Sequence, residues 1–140
     1  MHGDAYRGAL VCTPSRYSLM TGQMAFRVPN GGTVFQGAGG PSLIAPKKLT
    51  LPAMLKQQGY ATAAIGKWHV GLTFLDQAGE AIHSGRFEDV KRIDFSRRIQ
   101  GGPLDHGFDR FFGTACCPST DWLYAFIDGE RIPVPPTGPL

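Results

Sequence analysis

Two short stretches of the sequence carry the side chains with which this chain could do chemistry. The first places Cys12, a sulfur nucleophile, four residues before Arg16, and the second places Lys67 two residues before His69. Arginine presents a permanently charged fork that matches tetrahedral oxyanions, and lysine adds a compact positive charge. Histidine titrates near neutral pH and can move a proton. Together these residue types indicate a site that holds an anionic group beside a nucleophile and a proton carrier.

The first stretch is predicted to begin a helix. Thr13 is the predicted N-cap, Pro14 suits the first helical position, and Gly22 suits the left-handed residue after a helix over residues 15–21. Cys12 is then expected just outside the helix, where unpaired amides and the macrodipole favour an anion. The competing interpretation is a structural cysteine in an ordinary α/β core, because free cysteine is among the most buried residues.

The second stretch follows the clearest local unit of the chain. Thr50 can cap a helix over residues 51–58, Gly59 suits its end, and residues 60–65 are predicted as a short buried strand. A helix, a glycine and a strand in this order favour an α/β fold with a parallel or mixed sheet.

The side chains after this strand are predicted to share a face. If the backbone stays extended, Lys67 and His69 project to one side and Trp68 to the other. The alternative for this hexapeptide alone is a surface lysine and a hydrogen-bonded core histidine.

These stretches resemble the signatures of one enzyme family. The string Cys-x-Pro-Ser-Arg-x-x-x-x-Thr-Gly from Cys12 resembles that of the type I sulfatases, and Gly-Lys-Trp-His-x-Gly at 66–71 resembles their second signature. A third likeness, Gly-Phe-Asp-x-Phe-x-Gly at 107–113, is assigned to structure. The resemblance covers about residues 4–138 and is nearest to arylsulfatase A and N-acetylgalactosamine-6-sulfatase-like enzymes.

The resemblance implies a modification. In that family the motif cysteine is oxidised to formylglycine, and the motif, here Cys12, Pro14, Ser15 and Arg16, also instructs the formylglycine-generating enzyme. That enzyme is therefore an implied partner. A thiol suits sulfate-ester turnover poorly, whereas an aldehyde hydrate offers two hydroxyls, one to attack sulfur and one whose collapse expels sulfate.

The resemblance further implies catalytic roles for Cys12, Arg16, Lys67 and His69. Arg16 and Lys67 neutralise the sulfuryl oxygens, with Lys67 contacting the sulfate, and His69 hydrogen-bonds the formylglycine hydroxyl. One Ca²⁺ ion is the implied cofactor, with Cys12, as formylglycine, among its ligands. The acidic pair that precedes the motif in the family, and the later Asp-Asn or Asp-His ligands, are expected to be absent from this chain.

The fold implied by the resemblance is α/β and alkaline-phosphatase-like, with a mixed, mostly parallel sheet, flanking helices and long loops. Residues 1–140 are interpreted as a single incomplete N-terminal catalytic domain, and residues 135–140 as a linker or exit segment. The expected substrate is a sulfated small molecule or glycan, that is, an aryl or carbohydrate sulfate. A periplasmic or extracellular location is expected, and the chain taken alone is expected to be inactive.

Composition excludes several other classes of protein. The chain is 42% hydrophobic and 18% charged, which indicates a globular domain, and its net charge is only +3. Basic and acidic residues are interleaved, so nucleic-acid binding has little support, and no apolar stretch has the length of a membrane span. Three cysteines, of which Cys116 and Cys117 are adjacent, argue against a small disulfide-stapled domain.

The remaining segments are predicted mainly as connections. Residues 23–48 are rich in glycine and proline and are expected to form a long loop. Residues 72–106 are expected to be a solvated excursion with at most one short helix, in which His83 and His106 face solvent.

The end of the chain is predicted to be largely strand and turn. Asp128-Gly129 between apolar runs indicates a hairpin of two short antiparallel strands. Some sulfatases place a substrate-contacting serine shortly after the third motif, and Ser119 is the nearest candidate, although Cys116 and Cys117 depart from that pattern.

Three functional hypotheses remain open at this point. The chain is part of a sulfatase, part of a phosphonate or phosphate monoester hydrolase of the same superfamily, or a non-catalytic remnant that folds or binds an anion.

Overall fold

The computed structural model describes residues 11–32, 34–35, 40–84, 86–117 and 123–137. The candidate Ser119 and the last three residues of the predicted exit segment lie outside the described residues, and residues 135–137 have no regular secondary structure.

The first helix, α1 (Cys12–Thr21), begins earlier than predicted. Val11 is its N-cap and makes no side-chain capping bond, so the predicted cap at Thr13 is wrong, and Cys12 is the first helical residue. The amide of Ser15 closes the first turn on the carbonyl of Val11 at 3.2 Å. Pro14 therefore occupies the third helical position, where an amide has no intrahelical partner in any case. The left-handed Gly22 that ends the helix, with φ of 67°, is confirmed.

The second helix, α2 (Leu51–Gln57), has the predicted start. The Thr50 side chain accepts a hydrogen bond from the Ala53 amide at 3.3 Å, as an N-cap residue does. Gly59, with φ of 84°, adopts the left-handed conformation that follows many helix ends.

A three-stranded mixed sheet organises the fold, in the order β1 (Ala63–Lys67), β4 (Arg110–Thr114), β5 (Ile127–Asp128). Strands β1 and β4 are parallel, with Lys67 opposite Thr114, whereas β4 and β5 are antiparallel. The α/β class and the mixed sheet are confirmed.

The prediction that the strand after α2 is buried is wrong. It runs to Lys67, and most of its residues are exposed, Ile65 by 86%. One face of the sheet is open to solvent there, since Phe112, the neighbour of Ile65 on β4, is also exposed and stacks on Phe126 at 5.5 Å.

The segment over residues 72–106 was expected to be solvated, but it supplies much of the core. It contains a small hairpin of β2 (Phe74–Leu75) and β3 (Ala81–Ile82), the short helix α3 (Phe87–Val90) and a 3₁₀ turn, Pro103–His106. The buried aliphatic and aromatic side chains that it contributes to the core are Leu72, Phe74, Ile82, Val90, Ile93 and Ile99. They pack with residues of α1 and of the main sheet in one cluster.

His106 is the clearest error in that segment. It is 7% exposed rather than solvent-facing, its ring stacks on Trp68 at 6.2 Å, and its Nε2 lies 2.8 Å from the Ser42 hydroxyl. His83, by contrast, is exposed as predicted.

Two other predictions hold in part. The loop over residues 23–48 is irregular where it is described, apart from a 3₁₀ turn at Ala25–Arg27. The Asp128-Gly129 turn is present, with an isolated bridge between Asp128 and Arg131, but β5 pairs with β4 rather than with a following strand. In the ranges that the structure describes, no helix has the length and apolar character needed to span a bilayer.

Candidate active site

The site lies where the start of α1 meets the end of β1. Cys12 is the first residue of α1 and is partly exposed, and it lies close enough to the Lys67 ammonium for each group to favour the charged form of the other. Lys67 is the last residue of β1. A helix N-terminus and the carboxyl end of a parallel strand thus converge, an arrangement in which open α/β sheets commonly bind ligands.

Arg16 fixes this junction. Its guanidinium donates from Nη1 to the carbonyl oxygen of Lys67 over 2.6 Å. Because Arg16 is one turn into α1, this bond attaches the helix directly to the end of β1. The structure therefore brings three of the predicted site residues together: Cys12, Arg16 and Lys67.

The Lys67 ammonium also donates to Cys117 Sγ over 3.2 Å. Burial lowers the pKa of Lys67, but its hydrogen bonds to Cys117 and Cys12 raise that pKa by more, so the net pKa lies above the ordinary value. Burial raises the pKa of Cys12, but the interaction with Lys67, together with smaller effects of the Cys12 amide and the Arg16 charge, outweighs it, and the net pKa lies below the ordinary value. Lys67 thus stays charged and favours an anion at Cys12.

His69 occupies a different environment from Lys67. The backbone does not stay extended beyond β1, because His69 has φ of 57° in the left-handed region. Its side chain is fully buried, and its Nε2 lies 2.6 Å from the carbonyl oxygen of Phe35. This hydrogen bond therefore connects the His69 ring with the loop before Pro41 and not with Lys67. A non-glycine residue in this conformation is costly and is often found at functional sites.

The other two motif residues lie in the first turn of α1. Pro14 is buried and Ser15 is exposed. Thr13, between Cys12 and Pro14, is completely buried, and its hydroxyl has no hydrogen-bond partner within the described part of the chain.

A cleft of about 150 Å³ opens between α1 and β1. Arg16 and Lys67 lie on its wall, and the rest of the lining is mainly apolar. Two cations at an apolar cleft suit an anion that carries an organic group.

The family model for sulfatases matches residues 1–126 of the chain. The chain belongs to the sulfatase family. It is 39% identical over 135 residues to an arylsulfatase of Hemicentrotus pulcherrimus, which covers 91% of this chain and 21% of that protein. It is 41% identical over 70 residues to an N-acetylgalactosamine-6-O-sulfatase of Bacteroides thetaiotaomicron, covering 49% of this chain and 13% of that protein.

A solved structure supports the assignment to the sulfatase family. Its title concerns the metabolism of glycosaminoglycans by Bacteroides thetaiotaomicron, and it is 28% identical with a TM-score of 0.66, over 92% of this chain and 23% of that one. The chain spans only 15% to 19% of the length of the first curated sulfatases that it matches.

The resemblance to the sulfatases implies that Cys12, as formylglycine, is one of the metal ligands. Among the described residues, no group of three or more His, Cys, Asp and Glu side chains could hold a metal ion. The described residues thus do not form a metal cage on their own, since Ca²⁺ takes six or more oxygen ligands.

Cys117 is the residue of the site that sequence reasoning missed. A signal for it was available, because Lys67 and Thr114 end neighbouring parallel strands, and Cys117 follows Thr114 by three positions. The carboxyl ends of parallel strands meet at one edge of a sheet, so chain that leaves β4 can reach Lys67.

Proposed function

We propose that this chain carries part of the catalytic site of a sulfate-ester hydrolase, in which formylglycine derived from Cys12 is the nucleophile. The observation that supports it best is the convergence of Cys12, Arg16 and Lys67 at the start of α1. The hydrated aldehyde would supply a hydroxyl that attacks sulfur.

The cations of the site bind and orient the sulfate group in this proposal. The Lys67 ammonium already acts on the charge of Cys12, so a sulfuryl group beside Cys12 lies within its reach. The Arg16 guanidinium uses Nη1 for the Lys67 carbonyl and has further N–H groups for an anion. Preorganised donors of this kind stabilise charge that develops during the reaction, and losing one typically costs about a hundredfold to a thousandfold in rate.

His69 is proposed to handle a proton at the formylglycine hydroxyl. A carbonyl oxygen can only accept, so the contact with Phe35 places a hydrogen on Nε2 of the imidazole. In the neutral ring, Nδ1 is then the basic nitrogen. Burial holds the ring in one orientation, as a positioned acid–base group requires.

The proposed substrates are aryl or carbohydrate sulfates. The names of the relatives support this class, since they include an arylsulfatase and an N-acetylgalactosamine-6-O-sulfatase. The apolar lining of the cleft next to Arg16 and Lys67 is compatible with a ring attached to the sulfate.

Three parts of the proposal rest on the family resemblance. They are the Ca²⁺ ion, the formylglycine-generating enzyme as a partner, and a periplasmic or extracellular location. The described residues do not complete a metal cage, so we expect no turnover at a useful rate from the chain alone.

Coexpression with a formylglycine-generating enzyme tests the modification. Peptide mass analysis should show loss of the Cys12 thiol, and the product should react with a hydrazide probe, whereas Cys12→Ala should not. The Cys116→Ala variant is the matched control and should be modified as efficiently as the parent chain. A fully alkylatable Cys12 in such a host would contradict the proposal.

Ligand preference tests the reaction class. The modified chain should bind an aryl sulfate more tightly than the matching aryl phosphate, as followed by NMR shifts of the backbone amides of α1, and Lys67→Met should weaken the binding. A preference for the phosphate would favour the phosphate or phosphonate hydrolase, and no binding of either would favour the non-catalytic remnant.

A further inference from the structure

Two of the three cysteines share one ammonium group. Lys67 Nζ donates to Cys117 Sγ over 3.2 Å, and the same ammonium lies close enough to the Cys12 sulfur to act on its charge. The two cysteines are more than 100 positions apart in the sequence. Because both cysteines lie beside the same ammonium group, the fold brings their side chains to one place at the end of a single flexible lysine.

The third cysteine has a different environment. Cys116 is 4% exposed, whereas Cys12 and Cys117 are both partly accessible to solvent. A small oxidant in solution therefore reaches Cys12 and Cys117 before it reaches Cys116. Nothing in the sequence pairs Cys12 with Cys117, so this accessible pair is predicted by the fold.

We propose that Cys12, when it is not converted to formylglycine, forms a reversible disulfide with Cys117 upon exposure to a peroxide. The bond requires the Lys67 side chain to swing away and the two sulfur atoms to close to about 2 Å. The lysine side chain is flexible, and Cys117 lies beyond the end of β4 in irregular chain. Only the side chain of Lys67 has to move. Its backbone stays in place, because Arg16 holds its carbonyl.

The chemistry proceeds in two steps. Hydrogen peroxide transfers one oxygen to the Cys12 sulfur, which gives a sulfenic acid and one water. The Cys117 sulfur then attacks the Cys12 sulfur, the S–O bond breaks, and hydroxide leaves with the Cys117 proton as a second water. Two thiols are thereby oxidised and one peroxide is reduced. A sulfenic acid beside a second thiol commonly reacts in this way.

The cross-link has a consequence that rests on the proposed function. A Cys12 sulfur held in a disulfide is not a substrate for conversion to the aldehyde, so the two modifications compete for one atom. The cross-link itself needs no sulfatase activity, and its test uses unmodified chain.

Peptide mapping tests the proposal directly. The full chain, made in a host without formylglycine-generating activity, is treated with a small excess of hydrogen peroxide, alkylated and digested without reduction. We expect a Cys12–Cys117 peptide as the main product, lighter by two hydrogen atoms than the two peptides together, and its loss on treatment with dithiothreitol. The Cys116→Ala variant should give the same cross-link in similar yield.

Two further measurements separate the folded geometry from simple thiol reactivity. In Cys117→Ser, the cross-link should disappear and dimedone should trap the sulfenic acid at Cys12. In urea-unfolded chain, the yield of the Cys12–Cys117 cross-link should fall sharply, since the native juxtaposition is lost. A main Cys116–Cys117 product in the folded chain, or an unchanged Cys12–Cys117 yield in urea, would overturn the proposal.

Discussion

Arg16 and Lys67 are 51 positions apart, yet the Arg16 guanidinium donates a 2.6 Å hydrogen bond to the Lys67 backbone carbonyl. The bond joins the second turn of α1 to the last residue of β1. One side chain thus has two tasks, since it places a cation in the site and also holds the strand end that carries the second cation.

Replacing Arg16 by Met is expected to destabilise the fold. Methionine keeps an apolar stem of similar length but cannot donate to the Lys67 carbonyl, so the free energy of unfolding should fall by about 1.5–3 kcal/mol, as for hydrogen bonds to charged groups. Urea denaturation followed by circular dichroism measures the change. Arg27→Met is the matched control and should leave stability nearly unchanged, because Arg27 is exposed and its only hydrogen bond in the described ranges is made by its backbone amide, which the substitution keeps. Equal losses in the two variants would contradict the structural role of Arg16.

Replacing Lys67 by Met is expected to slow the alkylation of Cys12. Burial alone raises the pKa of this thiol, and the hydrogen bond and charge of Lys67 bring it below its ordinary value. Without the ammonium the pKa rises, and each unit of rise lowers the thiolate fraction about tenfold at a pH below it. Iodoacetamide labelling between pH 6 and 10, resolved by peptide, measures the shift. Lys47→Met, at an exposed position, should leave the profile in place.

Sequence reasoning located the site better than it located the ends of the elements around it. Cys12, Arg16 and Lys67 are identified by their residue types and spacing, and they meet at the start of α1 as expected. The start of α1 was misplaced because a proline is tolerated at any of the first three helical positions, so Pro14 alone does not identify the first one.

Burial was the harder property to predict. The apolar residues between Leu72 and Ile99 follow neither a helical nor a strand period, so the segment appears polar in sequence although six of its side chains enter the core. Ile65 is the opposite error, since it was predicted to be buried and is exposed. A short apolar run predicts a strand but does not show whether other residues cover that strand.

His106 is expected to make stability depend on pH. Burial lowers its pKa, and the opposing influences of Asp105 and the Gly101 backbone are smaller. A group with a depressed folded pKa contributes stability that is present above its unfolded value, near 6.5, and is lost as pH falls through the folded value. Urea midpoints should therefore drop below pH 6.5 more steeply in the parent chain than in His106→Gln. The exposed His83→Gln is the control and should retain the parent slope, whereas a parent-like slope in His106→Gln would exclude this role.

Gly113 is expected to tolerate no side chain. It lies opposite Gly66 in the parallel register of β1 and β4, and a Cβ built on Gly113 would lie 1.7 Å from the Gly66 carbonyl oxygen. Because that atom belongs to the backbone, Gly113→Ala must push the two strands apart. Overpacking of this kind costs typically about 1–3 kcal/mol, and a backbone clash belongs at the upper end. The displaced strand end carries Lys67, so the Cys12 alkylation profile should shift towards that of Lys67→Met.

The control for this substitution is Gly32→Ala. A Cβ on Gly32 meets no atom within 4 Å, and a glycine-to-alanine change without strain stabilises a protein by about 0.4–1 kcal/mol. We therefore expect opposite signs for the two variants in urea denaturation. If Gly113→Ala were as stable as the parent chain, with an unchanged Cys12 profile, the close pairing of β1 and β4 at Gly66 could not be the feature that positions Lys67.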